Sequence, residues 1–216
     1  VGRQAIDATL YDVEGRSIEL SSLWREWPVV IEFGSISCPI FVDKLEPMAA
    51  LARRFSGDVD FYVVYVREAH PGRRYPAHRE FDQKLRHAHD LVRLESMART
   101  VLVDDVEGTM PRDYGALPDS VFVIGVDGIV SMMADWNDPS RLAEHLSEVV
   151  ERGGRGDAVH TLRLTDNFQR PNLRLLRQLN RVLSRVGAPA LRDFLRQVPA
   201  LLRERLRARG PRPGGW

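Results

Sequence analysis

The reactive chemistry open to this chain centres on one thiol and a few acid and base groups that follow it. Cys38 is the single cysteine, set in VVIEFGSISCPIF at residues 29–41, and the thiolate rather than the thiol is the form that attacks electrophiles. Pro39 suits the first position of a helix, where a missing N–H costs nothing. A cysteine at such a strand-to-helix junction meets unpaired N–H groups and a partial positive charge, which lower a thiol from about 8.5 towards about 3.5–7.5. A lone cysteine is more often a small buried hydrophobe, but the tight polar Ser-Ile-Ser-Cys-Pro loop argues for an activated nucleophile. Further along, Glu68, His70 and His78 offer acid and base groups. One cysteine makes no internal disulfide and no CxxC pair, and no zinc-ligand spacing is found.

The elements that must hold these groups follow from apolar periodicity. The β-branched run after Pro28, broken at Gly34, reads as a buried strand, and Phe41, Leu45, Met48, Ala52 and Phe55 recur behind it at helical spacing. Residues 59–66 (VDFYVVYV) form a second apolar run, so a βαβ unit with a parallel pair is the economical topology. Ligands of such sheets lie beyond the carboxyl ends of the strands, which puts Glu68, His70 and His78 on the side of Cys38. A helix over about 77–94, a strand at 100–103, a hairpin of 120–125 with 129–132, and a helix opened by Asp138 and Pro139 complete the series. Ahead of them, residues 8–12 and 17–20 flank a Val13-Glu14-Gly15-Arg16 turn as a hairpin, with a helical turn at 21–24.

The 216 residues, 44% hydrophobic, suit one compact domain plus an appendage. From Arg155 onward 14 arginines face 4 acids, a balance of +10, whereas residues 1–154 carry 17 bases and 26 acids, a balance of −9. The appendage reads as two amphipathic helices, about 172–186 and 189–209, separated by Gly187. Leu176, Leu179, Leu183 and Val186 form one stripe, and Arg174, Arg177, Arg181 and Arg185 another. A helical hairpin packed on the acidic domain is expected. Peripheral contact of these basic helices with an anionic membrane is the alternative, and nucleic acid is disfavoured because no aromatics interleave the arginines. The closing GPRPGGW reads as disordered. No run of 18 apolar residues and no secretory signal pattern occurs, while opening on Val1 leaves room for an upstream segment. A reducing, cytoplasmic setting is expected.

The order βαβ, αβ, β-hairpin, α, with a cysteine after the first core strand, resembles the thioredoxin superfamily. FGSISCPIF is similar to the iodothyronine deiodinase motif Phe-Gly-Ser-Cys-Thr-Sec-Pro-Pro-Phe, with Cys38 where the selenocysteine stands. VYVREAHP matches Tyr-Ile-x-Glu-Ala-His-Pro, Pro76-x-His78 follows, and LVDDVEGT and YGALPDSVFVIGVDG look like bacterial members of that family. The resemblance covers about residues 28–130, and the recurrence of its motifs in order makes it specific. It implies an α/β, thioredoxin-like fold, a central mixed sheet flanked by helices, to which the patterns above add an N-terminal β-hairpin within a domain of residues 1–153 and a basic helical extension over 154–216. It further implies Cys38 as nucleophile, Glu68, His70 and His78 as its acid-base surroundings, and Ser35 as a hydrogen-bond partner of the reacting group. His87, His89, His145 and His160 match no motif and are expected at the surface. The chain departs from the pattern at Ile36, where the family has a second cysteine, and at Ile40, where it has a second proline. Residues 132–138 (MMADWND) replace a Gly-Gly-x-Gly-Pro segment, so the bulk of Met132, Met133 and Trp136 is expected to reshape the pocket in favour of smaller halogenated phenols.

The expected activity is a thiol-dependent oxidoreduction in which the Cys38 thiolate attacks the iodine of an iodinated aromatic, or another soft electrophile, and a histidine protonates the leaving carbanion. No bound cofactor is expected. The oxidised sulfur would be returned by an external thiol reductant, so the partners are a small electrophile and that reductant; a homodimer is compatible. A peroxiredoxin-like thiol peroxidase is the nearest alternative. A non-catalytic thioredoxin-like module with a basic partner-binding tail is the next, and the thiol pKa separates it from the others.

Overall fold

The strands are Thr9–Tyr11 (β1), Ser17–Glu19 (β2), Val29–Gly34 (β3), Asp60–Tyr65 (β4), Thr100–Val103 (β5), Val121–Ile124 (β6), Val130–Ala134 (β7) and Leu162–Leu164 (β8). In the computed structural model, which describes residues 1–164, 173–187 and 192, they form one mixed sheet in the order β2-β1-β5-β4-β3-β6-β7-β8. Strand β3 is buried at all six positions, as its unbroken apolar run predicts. It pairs in parallel with β4 and antiparallel with β6, while β4 pairs in parallel with β5. The helices are Pro39–Arg54 (α1), Phe81–Glu95 (α2), Thr109–Tyr114 (α3), Pro139–Glu151 (α4) and Leu173–Val186 (α5).

Alternation along β3 divides the core. Val29, Ile31 and Phe33 face one layer with Leu10, Leu20, Trp24 and Met110. Val30 faces the other layer, where it packs with Met48 and Leu51 of α1, Phe55 just past its end, and Leu142, Leu146 and Val149 of α4. On that same helical side, α1, α2 and α5 close a third group around Ile36, Cys38, Phe41, Val63, Tyr65, Ala88 and Leu91. The period-2 rule puts Glu32 on the face of Val30, and Glu32 is therefore an acidic side chain held at 0% exposure inside the protein.

Several expectations shift by a few residues. Helix α2 starts at Phe81 rather than near residue 77, because His78 turns back to bond Glu68 and keeps the preceding loop out of the helix. The 3-10 turn spans Leu20–Ser22. Elements α3 and β8, of six and three residues, are too short to show a periodic signal. Met132 and Met133 are consecutive residues of β7 and fill opposite cores, so the alternation of the strand commits the bulk of both side chains to core packing.

The first helix of the appendage packs on the domain. Val182, Leu183 and Val186 are buried in the group that holds Cys38, and Arg181 and Arg185 each reach Glu95 at 2.7 Å. The second expected helix, 189–209, and the closing GPRPGGW lie outside the described residues. Among the described residues, no helix is long and apolar enough to cross a membrane.

Candidate active site

Strand β3 ends at Gly34, where any Cβ would overlap the Phe41 ring; only glycine lets α1 fold back so closely over the strand. The loop 35–37 then turns through a Cys38 N–H bond to the Ser35 carbonyl at 3.0 Å, and Cys38 becomes the N-cap of α1 with Pro39 following. The junction is the one the sequence implies. The expected thiolate is not.

Cys38 is 4% exposed and packs among Ile36, Phe41, Val42, Val182 and Val186. Burial pushes its thiol up to about 12, and the carboxylates of Asp119 and Glu32 add to the rise, while the N–H groups of Phe41 and Ile40 pull it down. The helix N-terminus acts in the expected direction and is outweighed by desolvation. Cys38 is accordingly a protonated thiol at neutral pH in this arrangement.

Beside it the loop is bound to a buried carboxylate. Ser37 Oγ donates to Glu68 Oε2 at 2.5 Å and accepts the His70 N–H at 3.2 Å. Since Ser37 has one hydroxyl hydrogen, the 3.3 Å contact between Ser35 Oγ and Ser37 Oγ has Ser35 as its donor. Ser35 Oγ in turn accepts the Ala69 N–H at 3.1 Å. Glu68 Oε1 accepts from Tyr65 Oη at 2.5 Å and lies 3.2 Å from His78 Nε2 and 2.9 Å from His87 Nδ1. Burial alone would raise Glu68; hydrogen bonds from His78, His87, Ser37 and Tyr65 reverse this and hold it at about 2. A continuous hydrogen-bonded path thus runs from the hydroxyl next to Cys38, through an ionised carboxylate, to two imidazoles.

A second polar layer lies beneath α1. Glu32 is clamped by Arg99 Nη1 at 2.5 Å and Asn137 Nδ2 at 2.7 Å. Asp119, just before β6, has a left-handed backbone at φ +84° and is fully buried. Burial and the charge of Glu32 drive its carboxyl well above the usual range.

Of the residues the sequence singles out, Ser35, Glu68, His70 and His78 all gather around the Cys38 loop. His70 is tied to it through its backbone, and Ser35 bonds Ser37 and Ala69 in the loop's own framework. His87 was missed: it is buried on α2 against Glu68 and not at the surface, because the α2 periodicity of Leu85, Ala88 and Leu91 carries position 87 to the inner side. His145 is likewise buried, bonded to Ser131 Oγ at 3.0 Å, while His89 and His160 are exposed as expected. Tyr65 could be suspected only as an apolar strand residue, and Glu32, Arg99, Asp119 and Asn137 carry no motif.

Known proteins align with this core. A thyroxine 5-deiodinase of Sparus aurata is 29% identical over 126 residues, covering 54% of this chain and 47% of its own. A type I iodothyronine deiodinase of Xenopus laevis is 27% identical over 150 residues, 63% of this chain and 58% of its own. The chain thus spans about half the length of these curated relatives. A thiol:disulfide interchange protein of the thioredoxin family from Chlorobium tepidum superposes with a TM-score of 0.51 at 16% identity, over 69% of this chain and 97% of that one, which establishes the thioredoxin-like fold. The family described as iodothyronine deiodinase matches residues 20–148, more than half of the sequence and all of the Cys38–Glu68–His78 constellation, and the chain belongs to that family.

Proposed function

We propose that the protein is a thiol-dependent oxidoreductase that reductively dehalogenates a halogenated aromatic at Cys38. The observation that carries this reading is the bonded path Ser37–Glu68–His78 beginning at the residue next to the only thiol. In the first half-reaction Cys–SH and Ar–I give Cys–S–I and Ar–H. The S–H and C–I bonds break, S–I and C–H form, sulfur is oxidised and the aryl carbon reduced. The proton that leaves sulfur is the one carbon needs, so a buried protonated thiol suits the balance. The Glu68–His78 pair holds and returns that proton. In the second half-reaction two external thiols reduce Cys–S–I to Cys–SH, releasing their disulfide, iodide and a proton.

The burial of Cys38 favours a second reading, a thioredoxin-like module whose thiol stays idle. Mass spectrometry of Cys38 after exposure to an iodophenol with glutathione, and separately to hydrogen peroxide, tests both. Iodide release that requires Cys38 supports dehalogenation. Sulfenic acid formation with peroxide and no iodide release would favour a thiol peroxidase, and an unmodified cysteine in both arms would leave the idle module.

A further inference from the structure

Glu68 Oε1, His78 Nε2 and His87 Nδ1 form a nearly equilateral triangle with edges of 3.2, 3.0 and 2.9 Å. Hydrogen bonds cannot satisfy it. Three edges need three hydrogens, yet each imidazole nitrogen brings at most one, and an N–H has no in-plane lone pair with which to accept. If one ring donates, the other presents its lone pair to Glu68; if both donate, two N–H groups confront each other at 3.0 Å.

A single cation facing all three lone pairs removes the conflict. The circle through three atoms so spaced has a radius of about 1.8 Å, shorter than the roughly 2.0–2.2 Å bonds of zinc to nitrogen and oxygen. An ion therefore reaches all three donors from about 1 Å above their plane, without moving them. The rings are arranged as ligands would be. Their nitrogens approach to 3.0 Å while their centroids stay 4.9 Å apart at 58°, so they fan outward from a shared point and do not stack.

Outer partners fix the set: Ser37 holds the second oxygen of Glu68, Tyr65 donates to the first, and Tyr75 packs edge-on against His87 at 5.0 Å. Such support is what orients metal ligands in proteins. The side chains are 0%, 4% and 9% exposed for Glu68, His78 and His87, which distinguishes the set from a chance surface cluster.

We propose that Glu68, His78 and His87 form a binding site for a first-row divalent cation of the zinc type, with Cys38 outside the coordination sphere. Two imidazoles and one carboxylate are a ligand set that zinc and its neighbours accept, with further positions left for water. Occupancy would commit Glu68 and His78 to the ion and remove them from the path that starts at Ser37, making the cation an inhibitor of any chemistry that uses that path. The site itself does not depend on what Cys38 does.

The test uses the full chain, stripped of metal and titrated with cobalt(II) as a spectroscopic probe, followed by displacement with zinc(II). One cobalt per chain is expected, with visible ligand-field bands and no thiolate charge-transfer band. His87→Ala should weaken binding by at least about 100-fold, beyond the 10–100-fold typical of losing an outer partner; Cys38→Ser and His160→Ala should leave it unchanged. Failure of wild-type protein to take up stoichiometric cobalt overturns the proposal without any variant. So does unaltered binding in a folded His87→Ala or, should that variant not fold, in His87→Gln. Loss of binding in Cys38→Ser would show that the thiol, not the triangle, holds the metal.

Discussion

Unseating α5 should expose the thiol and restore ordinary cysteine reactivity. Val186 is 0% exposed and lies in the group that encloses Cys38, and a Cβ on Gly72 would approach its Cγ1 to 2.6 Å. An aspartate at 186 cannot keep that seat, since an unpaired charge would be buried against apolar neighbours. In the intact protein the thiol stands at about 12 against an ordinary 9.0, chiefly through burial. At pH 7.5 roughly one molecule in 30,000 then carries a thiolate. Each unit of relief raises that fraction tenfold, so return to the ordinary value in Val186→Asp gives up to about 10³-fold faster alkylation at fixed pH. The assay is the rate of iodoacetamide modification from pH 6 to 11, with circular dichroism confirming that the sheet persists. Wild-type protein should show a rate that climbs about tenfold per pH unit without levelling below about pH 10, and Val186→Asp should level near that of a free thiol. A wild-type plateau below about pH 8 would refute the reasoning, since it would mean that the helix N-terminus prevails over burial after all.

Glu68 links stability to acid. Its pKa falls on folding from 4.5 to about 2, so its contribution is fully present above 4.5 and is lost as pH drops through 2. The shift corresponds to a loss on the order of 3 kcal/mol, and urea unfolding at pH 6 and pH 3 should show a smaller acid decline in Glu68→Gln than in wild type. Arg99→Ala breaks a buried ion pair and leaves the Glu32 carboxyl at 0% exposure with the Asn137 bond, and chemical denaturation should register about 3–5 kcal/mol of destabilisation. With Ile36 where a second thiol would stand, oxidised protein has no internal route back; without added thiol, formation of the dehalogenated arene should stop after one equivalent and no iodide should be released. Multiple turnover in its absence would contradict the scheme.

The sequence exposes this fold where a signal is continuous. The runs at 29–34 and 60–65, the spacing from Phe41 to Phe55 and the Asp138-Pro139 start are local patterns, and each becomes the expected element. Residues 68, 70 and 78 could be placed beside Cys38 because strand ends share one side of a parallel sheet. What stays hidden depends on partners far apart in the chain. Arg99 and Asn137 meet Glu32 across separations of 67 and 105 residues, and no window of sequence contains both ends of either bond. His87 was legible in principle: it precedes the buried Ala88 and lies four residues before Leu91 on the same helix. Its polarity made it look like a surface residue. The thiol was misjudged for a related reason, since the local helix field is written in the sequence whereas desolvation comes from an apolar group assembled from β4, α2 and α5, the last more than a hundred residues away.

That last point bears on how such a thiol can react at all. The N–H groups of Ile40 and Phe41 face a sulfur that burial, Asp119 and Glu32 together keep protonated, and burial drives the Asp119 carboxyl itself well above its usual range. A free-standing thiolate would have to overcome all three effects. Transfer of the thiol proton as the sulfur–halogen bond forms avoids that charge, and it requires a base that is already ionised and already bonded to the loop. Glu68, held at about 2 and bonded to Ser37 at 2.5 Å, meets both conditions. Glu32, locked to Arg99 and Asn137 beneath α1, is not bonded to the loop. On this argument Glu68→Gln should abolish Cys38-dependent iodide release while leaving cobalt-free folding at neutral pH intact. Asn137→Ala, which leaves the Arg99 clamp on Glu32, should alter stability more than rate, and a rate loss as deep as that of Glu68→Gln would move the proton's route to the layer beneath the helix.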